Sequence, residues 1–326
     1  MKAVVCKAWG PPESLVIEDR PSLEAGPGNV VISVKAANVS FPDTLIIQNK
    51  YQTKPELPFI PGSEVAGIVK SVGAGVEGWK VGDRVSASAS HGGYAEEVIA
   101  EADRVLAVPE QMDFASAAVL GSAYGTSYYA LTERGQLRAG ETLLVLGAAG
   151  GVGLAAVEIG KALGANVIAC ASSEDRLAVC RAHGADEAIN YVSDDLRARV
   201  KAITKGNGVD VIYDAVGGPY SEPALRDMAW GGRFLVVGFA AGDIPKISLN
   251  LPLIKGCSIV GVWIGAFARR DRARHRANVV QLGKWFQEGK IKPHISGTYP
   301  LEKAADALNA LGQRKVIGKV VLTTAR

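Results

Sequence analysis

A glycine-rich turn is the feature of the sequence with the clearest chemical potential. The apolar run 143–146 leads directly into it, and a stretch with helical apolar spacing, 153–164, follows. Glycines let a backbone turn sharply and lie against a pyrophosphate, whose charge the N-terminus of the next helix stabilises. The residues assigned to a dinucleotide by this pattern are Gly147, Ala149, Gly150, Gly151, Val152 and Gly153. The alternative is a turn that only packs a helix on a sheet, but the flanking strand and helix favour binding.

The end of the next apolar run, 166–171, bears on which dinucleotide binds. Folds that prefer NAD usually place an acidic residue there to bind the ribose 2′-hydroxyl. Here Ser172 and Ser173 follow the run, and Arg176 comes shortly after them. Small hydroxyl side chains leave room for a 2′-phosphate, and an arginine can pair with it through two hydrogen bonds. The sequence therefore predicts NADP(H), bound in part by Ser172 and Arg176; the alternative for Arg176 is a solvated helix residue.

The glycine turn belongs to a series of alternating strand-like and helix-like segments that runs from about 142 to 239. This alternation, with continuous apolar strands, predicts a doubly wound parallel sheet. The first third instead has short runs broken by Gly and Pro, which indicates a compact antiparallel β-barrel or sandwich. We assign the last strand-like run, 319–324, to that first domain. The predicted domains are therefore 1–122 with 265–326, and 123–264 inserted between them.

Composition restricts the class of protein. The 326 residues correspond to about two domains at ~150 residues each, and the net charge of +3 disfavours nucleic acid as a partner. No apolar run approaches the ~18 residues of a membrane span, so no membrane partner is predicted. The four cysteines, Cys6, Cys170, Cys180 and Cys257, form neither a CxxC pair nor a zinc-like cluster. Isolated thiols are typical of a reducing compartment, so we predict a cytoplasmic location.

Several motifs in a fixed order resemble those of a known family. They are PGSEVAGIV (61–69), VGAGVEGWKVGDRV (72–85), SAYGTSYYAL (122–131), GGRFLVVGFAAG (231–242) and GKVVL (318–322). Together with the glycine turn they resemble the zinc-independent quinone oxidoreductase group of the medium-chain dehydrogenase/reductases. The resemblance covers the chain from Met1 to about Leu322. It implies an α/β protein with a GroES-like β-barrel catalytic domain and an inserted Rossmann domain.

The sequence departs from the zinc-dependent branch of this family at its metal ligands. Where that branch has a cysteine and a histidine, this chain has Ser40 and Ser63, and the loop 86–93 lacks the four-cysteine lobe. Neutral serines are poor Zn²⁺ ligands. The resemblance therefore implies no metal, and His91, without a partner at ligand spacing, is interpreted as a surface residue.

Three residues of the first domain are assigned to catalysis by the resemblance. Asp43 and Tyr51 match the family pattern, whereas Ser40 stands where quinone reductases usually have asparagine. In related enoyl-thioester reductases a tyrosine at the position of Tyr51 is the proposed proton donor. A phenol can donate to a carbanion after hydride transfer. The alternative is a tyrosine that lines the site without chemistry.

The resemblance also assigns cofactor contacts outside the glycine turn. They are Ser122, Thr126, Tyr191, Val216, Gly238, Phe239, Val262, Trp263 and Lys319. Except for Lys319, these residues stand mainly at the ends of predicted segments of the inserted domain. Packing at strand ends is the alternative interpretation.

The predicted function is NADPH-dependent hydride transfer to a quinone or another conjugated carbonyl acceptor. One alternative is an enone or enoyl-thioester reductase with Tyr51 as proton donor. The alternative from another class is an NADPH-binding sensor or nucleic-acid binder, for which the basic run 268–276 is the candidate surface. The resemblance implies a homodimer through the last strand of the inserted domain. The apolar run 258–263 fits this role, because it lacks the charges that protect a free sheet edge.

Overall fold

The computed structural model describes residues 1–324 as two compact units. The strands are β1 (Lys2–Val5), β2 (Val16–Asp19), β3 (Asn29–Val39), β4 (Glu64–Val72), β5 (Arg84–Ser88), β6 (Glu97–Glu101), β7 (Val105–Ala107), β8 (Thr142–Leu146), β9 (Asn166–Ala171), β10 (Glu187–Asn190), β11 (Val209–Asp214), β12 (Met228–Val236), β13 (Ser258–Gly261), β14 (Ile295–Pro300) and β15 (Lys319–Thr323). The α-helices are α1 (Phe41–Ile46), α2 (Phe114–Val119), α3 (Gly125–Tyr128), α4 (Gly151–Ala162), α5 (Glu174–Ala182), α6 (Leu196–Ile203), α7 (Ser221–Arg226), α8 (Asn250–Lys255), α9 (Ile264–Arg270), α10 (Arg272–Gln287) and α11 (Ala304–Gly312). Two π-helical stretches, Leu120–Tyr124 and Tyr129–Arg134, flank α3.

The first unit, Met1–Gly121 with the chain from Pro293 onward, is built on a sheet of seven strands. The order is β14-β15-β3-β4-β5-β7, and β6 also pairs with β3. The long strand β3 is central because it pairs with β4, β6 and β15, all antiparallel. Its alternate residues, such as Ile32 and Val34, are buried in the core. The last strand lies in this unit, where Leu322 pairs with Ala37 of β3.

The second unit, Ser122–Lys292, contains a six-stranded parallel sheet in the order β10-β9-β8-β11-β12-β13. This is the doubly wound order of dinucleotide-binding folds. Apolar residues of the inner strands, among them Leu144, Ile168 and Ile212, are buried. Helices cover both faces of such a sheet, which explains the continuous apolar runs in the sequence.

The boundary between the inserted unit and the last part of the chain differs from the predicted one. We predicted a change of domain at 264/265, but the chain up to Lys292 clusters with the second unit. The reason is packing between distant residues. Phe267 stacks on Tyr129 with ring centroids 4.2 Å apart, and Trp285 meets the Tyr128 ring edge-on at 5.4 Å.

Two elements near this boundary are also shorter than their sequence patterns indicated. The strand predicted over 258–263 ends at Gly261. The stretch from about 269 to 288, whose pattern predicts a single helix, is divided at Asp271. Asp271 has φ −136° and ψ 73°, and its carboxylate accepts a hydrogen bond from Arg274 N at 3.0 Å. An N-cap aspartate therefore starts α10 after a sharp change of direction. Within residues 1–324, no helix is long and apolar enough to cross a membrane.

Candidate active site

The glycine turn between β8 and α4 has the geometry of an anion-binding loop. Gly147 has φ +72°, and Gly150 N donates to Gly147 O at 3.0 Å. A Cβ on Gly153 would lie 2.1 Å from Gly147 O, so this position accepts only glycine without a backbone shift. The N-terminus of α4, which begins at Gly151, therefore lies close against the end of β8. Its free N–H groups and helix dipole suit a pyrophosphate, and the loop fits a dinucleotide.

The helical segment 120–134 supports this loop from the side. Ser127 Oγ donates to Val152 O at 2.7 Å and lies 2.9 Å from the Tyr213 hydroxyl. In the same segment, the predicted cofactor residue Thr126 is buried and Ser122 is half-buried. Ser127 thus couples the start of α4 to β11 through buried hydrogen bonds.

Asp214 holds the turn after β11, and sequence reasoning missed it. One carboxylate oxygen accepts from the backbone N–H groups of Val216 and Gly217 at 2.9 Å each. The other accepts from the Ser221 hydroxyl at 2.6 Å. A Cβ on Gly147 would lie 2.7 Å from the side chain of Val216, so this turn abuts the glycine loop. An aspartate at the end of an apolar strand and before two glycines was the available signal.

The end of β9 carries the residues predicted to select the cofactor. Ser172 is exposed, Ser173 is the N-cap of α5, and Arg176 is half-buried in the first turn of that helix. β9 lies beside β8 in the sheet, with Cys170 paired to Leu146. The ends of both strands therefore meet at one edge, as the fold requires.

Other predicted cofactor residues lie at the same edge of the sheet. Gly238 N donates to Asp214 O at 3.2 Å, and Val262 N donates to Val236 O at 3.0 Å. Phe239 and Trp263 are exposed beyond β12 and β13, with Trp263 61% exposed. Tyr191 follows β10 and packs against Tyr220 at 4.4 Å between ring centroids. The fold thus gathers these predicted residues at the carboxyl ends of the strands of this unit, whereas Ser122 and Thr126 lie in the helical segment 120–134.

In the first unit, Ser40, Asp43 and Tyr94 form a compact hydrogen-bonded cluster. Asp43 Oδ2 accepts from Ser40 N at 2.9 Å, from Ser40 Oγ at 2.7 Å and from the Tyr94 hydroxyl at 3.0 Å. Tyr94 is fully buried, and a Cβ on Gly62 would lie 2.3 Å from its ring. Gly62, with φ +84°, therefore makes room for the tyrosine. Sequence reasoning missed Tyr94, whose only signal is its place after Gly92-Gly93.

Burial and charge set the protonation of this cluster. Burial raises the pKa of Asp43, whereas the hydrogen bonds from Ser40 and Tyr94 and the charge of Lys319 oppose the rise. Burial and the nearby Asp43 raise the pKa of Tyr51, which is half-buried. The phenol of Tyr51 therefore keeps its proton at neutral pH, as a proton donor must.

Lys319, which the resemblance assigns to the cofactor, lies in the first unit and adjoins this cluster. Its ammonium is buried and donates to Val39 O at 3.0 Å. Burial lowers the pKa of Lys319, and the carboxylates of Glu64 and Asp43 oppose that change. Glu64 in turn accepts from Asn38 Nδ2 at 2.7 Å.

A small pocket opens beside Asp43 in the first unit. Its wall includes Asp43, Thr53, Phe59, Ser63, Ser90 and His91. His91 is exposed, as expected, but it also lines this pocket, with its ring 6.4 Å from that of Phe59. Among residues 1–324, no group of three or more His, Cys, Asp or Glu side chains is arranged to hold a metal ion.

The basic run of the sequence is partly paired within the second unit. Arg274 Nε donates to Glu133 at 2.8 Å, and the Arg269 guanidinium lies 5.8 Å from the Trp263 ring centroid. On α10, Leu282 and Trp285 are buried. The run therefore begins the polar face of an amphipathic helix.

Comparison with known proteins identifies the family. Residues 26–110 match the model for the alcohol dehydrogenase GroES-like domain, and residues 151–282 match the model named zinc-binding dehydrogenase. A quinone oxidoreductase-like protein 2 homolog of Nematostella vectensis is 39% identical over 99% of this chain and 89% of that protein. The chain belongs to the quinone oxidoreductase group of the medium-chain dehydrogenase/reductases.

Comparison with solved structures supports the same family assignment. A probable oxidoreductase from Mycobacterium abscessus aligns with a TM-score of 0.91 and 40% identity, covering 99% of this chain and 98% of that one. Escherichia coli quinone oxidoreductase, solved with NADPH, aligns with a TM-score of 0.91 and 29% identity, covering 99% and 100%. The predicted fold class, a GroES-like domain with an inserted Rossmann domain, is confirmed, as is the oxidoreductase class.

Gly153→Ala tests the glycine loop. The added Cβ would push α4 away from Gly147 O, so we expect dinucleotide affinity to fall at least about tenfold, or ~1.4 kcal/mol. Binding is measured by fluorescence titration with NADPH. Gly283→Ala, in α10 with open space around it, is the matched control and should bind normally. Wild-type affinity in Gly153→Ala would show that the close approach is not needed for binding.

Proposed function

We propose that this protein is a zinc-independent, NADPH-dependent reductase of quinones or other conjugated carbonyl compounds. The observation that carries the proposal is the glycine loop at the N-terminus of α4, where a Cβ on Gly153 would lie 2.1 Å from Gly147 O. Its relatives support the same activity, because Escherichia coli quinone oxidoreductase, 29% identical, was solved with NADPH.

Residues of the second unit would hold the cofactor. The loop Gly147–Gly153 would bind the pyrophosphate, and Ser172 and Arg176 the adenosine end. Residues at the ends of β11, β12 and β13, including Val216, Phe239 and Trp263, would hold the nicotinamide end. Bound NADPH supplies the hydride, whereas the protein binds, orients and excludes water.

The preference for NADPH rests on the end of β9. No acidic side chain immediately follows this strand; Ser172 and Ser173 do. Glu174 and Asp175 stand in the first turn of α5, where acids stabilise the helix dipole. Arg176 in the same turn would supply the cation for a 2′-phosphate.

Arg176→Ala should weaken NADPH binding about 10–100-fold, the loss of one charge-assisted hydrogen bond of ~1.5–3 kcal/mol. NADH affinity should change little, because NADH lacks the 2′-phosphate. Dissociation constants for both cofactors, measured by calorimetry, check this. The control is Arg181→Ala, since Arg181 lies exposed on the same helix and pairs with Glu174 at 3.4 Å. An equal loss for both cofactors would make Arg176 a structural residue.

Independence from zinc rests on the two serines. Ser40 Oγ is engaged with Asp43 at 2.7 Å, and Ser63 lies in the pocket wall. Neither offers the thiolate or imidazole that Zn²⁺ prefers. Quinones do not need a Lewis acid of this kind, since the reduced oxygen can collect a proton from water.

Elemental analysis of the purified protein should therefore find well under one zinc per chain. Incubation with a chelator should leave NADPH oxidation unchanged, because no metal stabilises an alkoxide in this site. One zinc per chain, together with chelator-sensitive turnover, would contradict the proposal.

Tyr51 supports the enone or enoyl-thioester alternative. It is half-buried, and its raised pKa keeps the phenol protonated beside Asp43. An enone needs a proton at its α-carbon after hydride transfer, and a positioned acid contributes about 10²–10⁴-fold. A quinone does not need this proton donor.

Tyr51→Phe should separate the two classes of acceptor. With enones or enoyl thioesters kcat should fall by about 10²-fold or more, whereas with quinones the loss should stay below about tenfold, or ~1.4 kcal/mol. Steady-state kinetics with both classes, at saturating NADPH, measures this. Tyr299→Phe, a half-buried tyrosine of the same unit, is the control. Full enone activity in Tyr51→Phe would remove Tyr51 from the mechanism.

We also propose a homodimer formed through β13, the edge strand of the parallel sheet. Ile259 on this strand is 42% exposed, and the segment 258–263 carries no charge. An unprotected apolar edge is stabilised by pairing with a second copy.

Light scattering at micromolar concentration should give twice the mass of the chain. Ile259→Lys should shift the protein toward monomer, because a charge is placed on the pairing edge. Val192→Lys, exposed after the opposite edge strand β10, should remain dimeric. A monomeric wild-type protein would refute the dimer.

A further inference from the structure

Lys319, which the resemblance assigns to the cofactor, is a buried lysine of the first unit whose charge the function proposed above does not use. Lys319 is 9% exposed, and the buried carboxylates of Asp43 and Glu64 act on its ammonium. Lysines are almost never buried without a compensating partner, because removing the ammonium from water is unfavourable. The position of this charge therefore needs an explanation.

One peptide group joins Lys319 to Asp43. The Lys319 ammonium donates to Val39 O at 3.0 Å, and Ser40 N donates to Asp43 Oδ2 at 2.9 Å. Val39 O and Ser40 N–H belong to the same planar peptide, in which the oxygen and the hydrogen point to opposite sides. The cation and the carboxylate thus lie at the two ends of one peptide dipole, and each hydrogen bond strengthens the other.

The residue at the far end of this relay is among those that line the pocket. The hydrogen bonds that Asp43 accepts from Ser40 N, Ser40 Oγ and the Tyr94 hydroxyl converge on one oxygen, Oδ2. The titratable groups around Asp43 are Tyr94, Tyr51 after α1, Lys319 on β15, Glu64 on β4 beyond the lysine, and His91 in the pocket wall.

We propose that Lys319 is a positioning residue that acts through the Val39–Ser40 peptide to keep Asp43 charged and fixed at the wall of this pocket, and that the pocket takes the acceptor. The ammonium provides an internal cation at a site where serines have replaced the metal ligands of the related branch. The pocket's role as the acceptor site rests on the proposed function. The relay itself rests on the two hydrogen bonds and the burial of both charges.

Loss of the Lys319 ammonium should change the pKa of Asp43 in one direction. Lys319 lowers the pKa of Asp43 against the rise caused by burial. Without it, the Asp43 and Glu64 carboxylates remain buried with less compensation, so protonation of Asp43 becomes easier. The pH at which Asp43 ionises therefore moves upward.

Two substitutions separate the charge of Lys319 from its hydrogen bond. Lys319→Gln retains a donor for Val39 O, whereas Lys319→Met removes both donor and charge. The readout is a carbon NMR titration of the Asp43 carboxyl, assigned with Asp43→Asn. We expect both variants to raise the midpoint by about one pH unit, a tenfold change in protonation. Lys315→Met, which neutralises an exposed lysine four residues earlier, should leave it unchanged.

Glu64→Gln extends the test to a variant that keeps Lys319. It removes the competing carboxylate and leaves the ammonium in place, so the Asp43 midpoint should fall or stay constant. If Lys319→Gln and Lys319→Met do not fold, Glu64→Gln tests the relay instead. A rise of the Asp43 midpoint in Glu64→Gln would contradict the relay.

Kinetics give a second readout. In Lys319→Gln the acidic limb of the kcat profile should move to higher pH with the NMR midpoint of Asp43. Adding Lys319→Gln to Asp43→Asn should cause no further loss of kcat.

If the wild-type protein reduces no acceptor, the proposed function fails, and the NMR titration still decides the relay. Wild-type titration in Lys319→Gln would reduce the lysine to a structural donor. A loss of NADPH affinity with an unchanged midpoint would assign Lys319 to the cofactor and overturn the proposal.

Discussion

Helix α4 can begin against the end of β8 only because position 153 carries no side chain. A Cβ there would lie 2.1 Å from Gly147 O, well inside the distance at which atoms repel. This close approach sets the direction in which the helix N-terminus points its free N–H groups. The turn after β11 lies against this loop. Asp214 fixes that turn by accepting hydrogen bonds of 2.9 Å from Val216 N and Gly217 N. The cofactor loop is therefore a consequence of backbone packing, stabilised by one buried carboxylate.

The first unit contains buried charged groups, and it stabilises them without a set of metal ligands. Asp43 Oδ2 accepts three hydrogen bonds, one of them from Ser40 N. On the other side of the same Val39–Ser40 peptide, Val39 O accepts a hydrogen bond from the Lys319 ammonium. These contacts offset part of the desolvation of the carboxylate, which is otherwise unfavourable. Burial and the same carboxylate raise the pKa of the nearby Tyr51. In the proposed reaction, the protein thus contributes fixed charges and a proton donor, and the cofactor contributes the hydride.

Much of this could be predicted from local sequence, because the relevant signals are local. The glycine turn, the apolar strands and the serines after β9 each occupy a few consecutive residues, and the structure places these features at one edge of the parallel sheet. Tyr94 and Asp43 are different, since they are 51 positions apart and meet only through the packing of the folded domain. The boundary near 292 depends on similar long-range contacts, such as Tyr128 with Trp285. Asp214 could have been found, since its type and position match a turn-capping role.

The central claim is that this chain, without zinc, oxidises NADPH by reducing a conjugated carbonyl. The most direct measurement is an acceptor panel of quinones, enals and enoyl thioesters, assayed with NADPH and with NADH on protein stripped of metal by a chelator. The account predicts rapid, saturable NADPH oxidation with at least one class of acceptor, at a kcat/KM well above that with NADH. Absence of turnover with every class, or turnover that returns only when zinc is added, would contradict it.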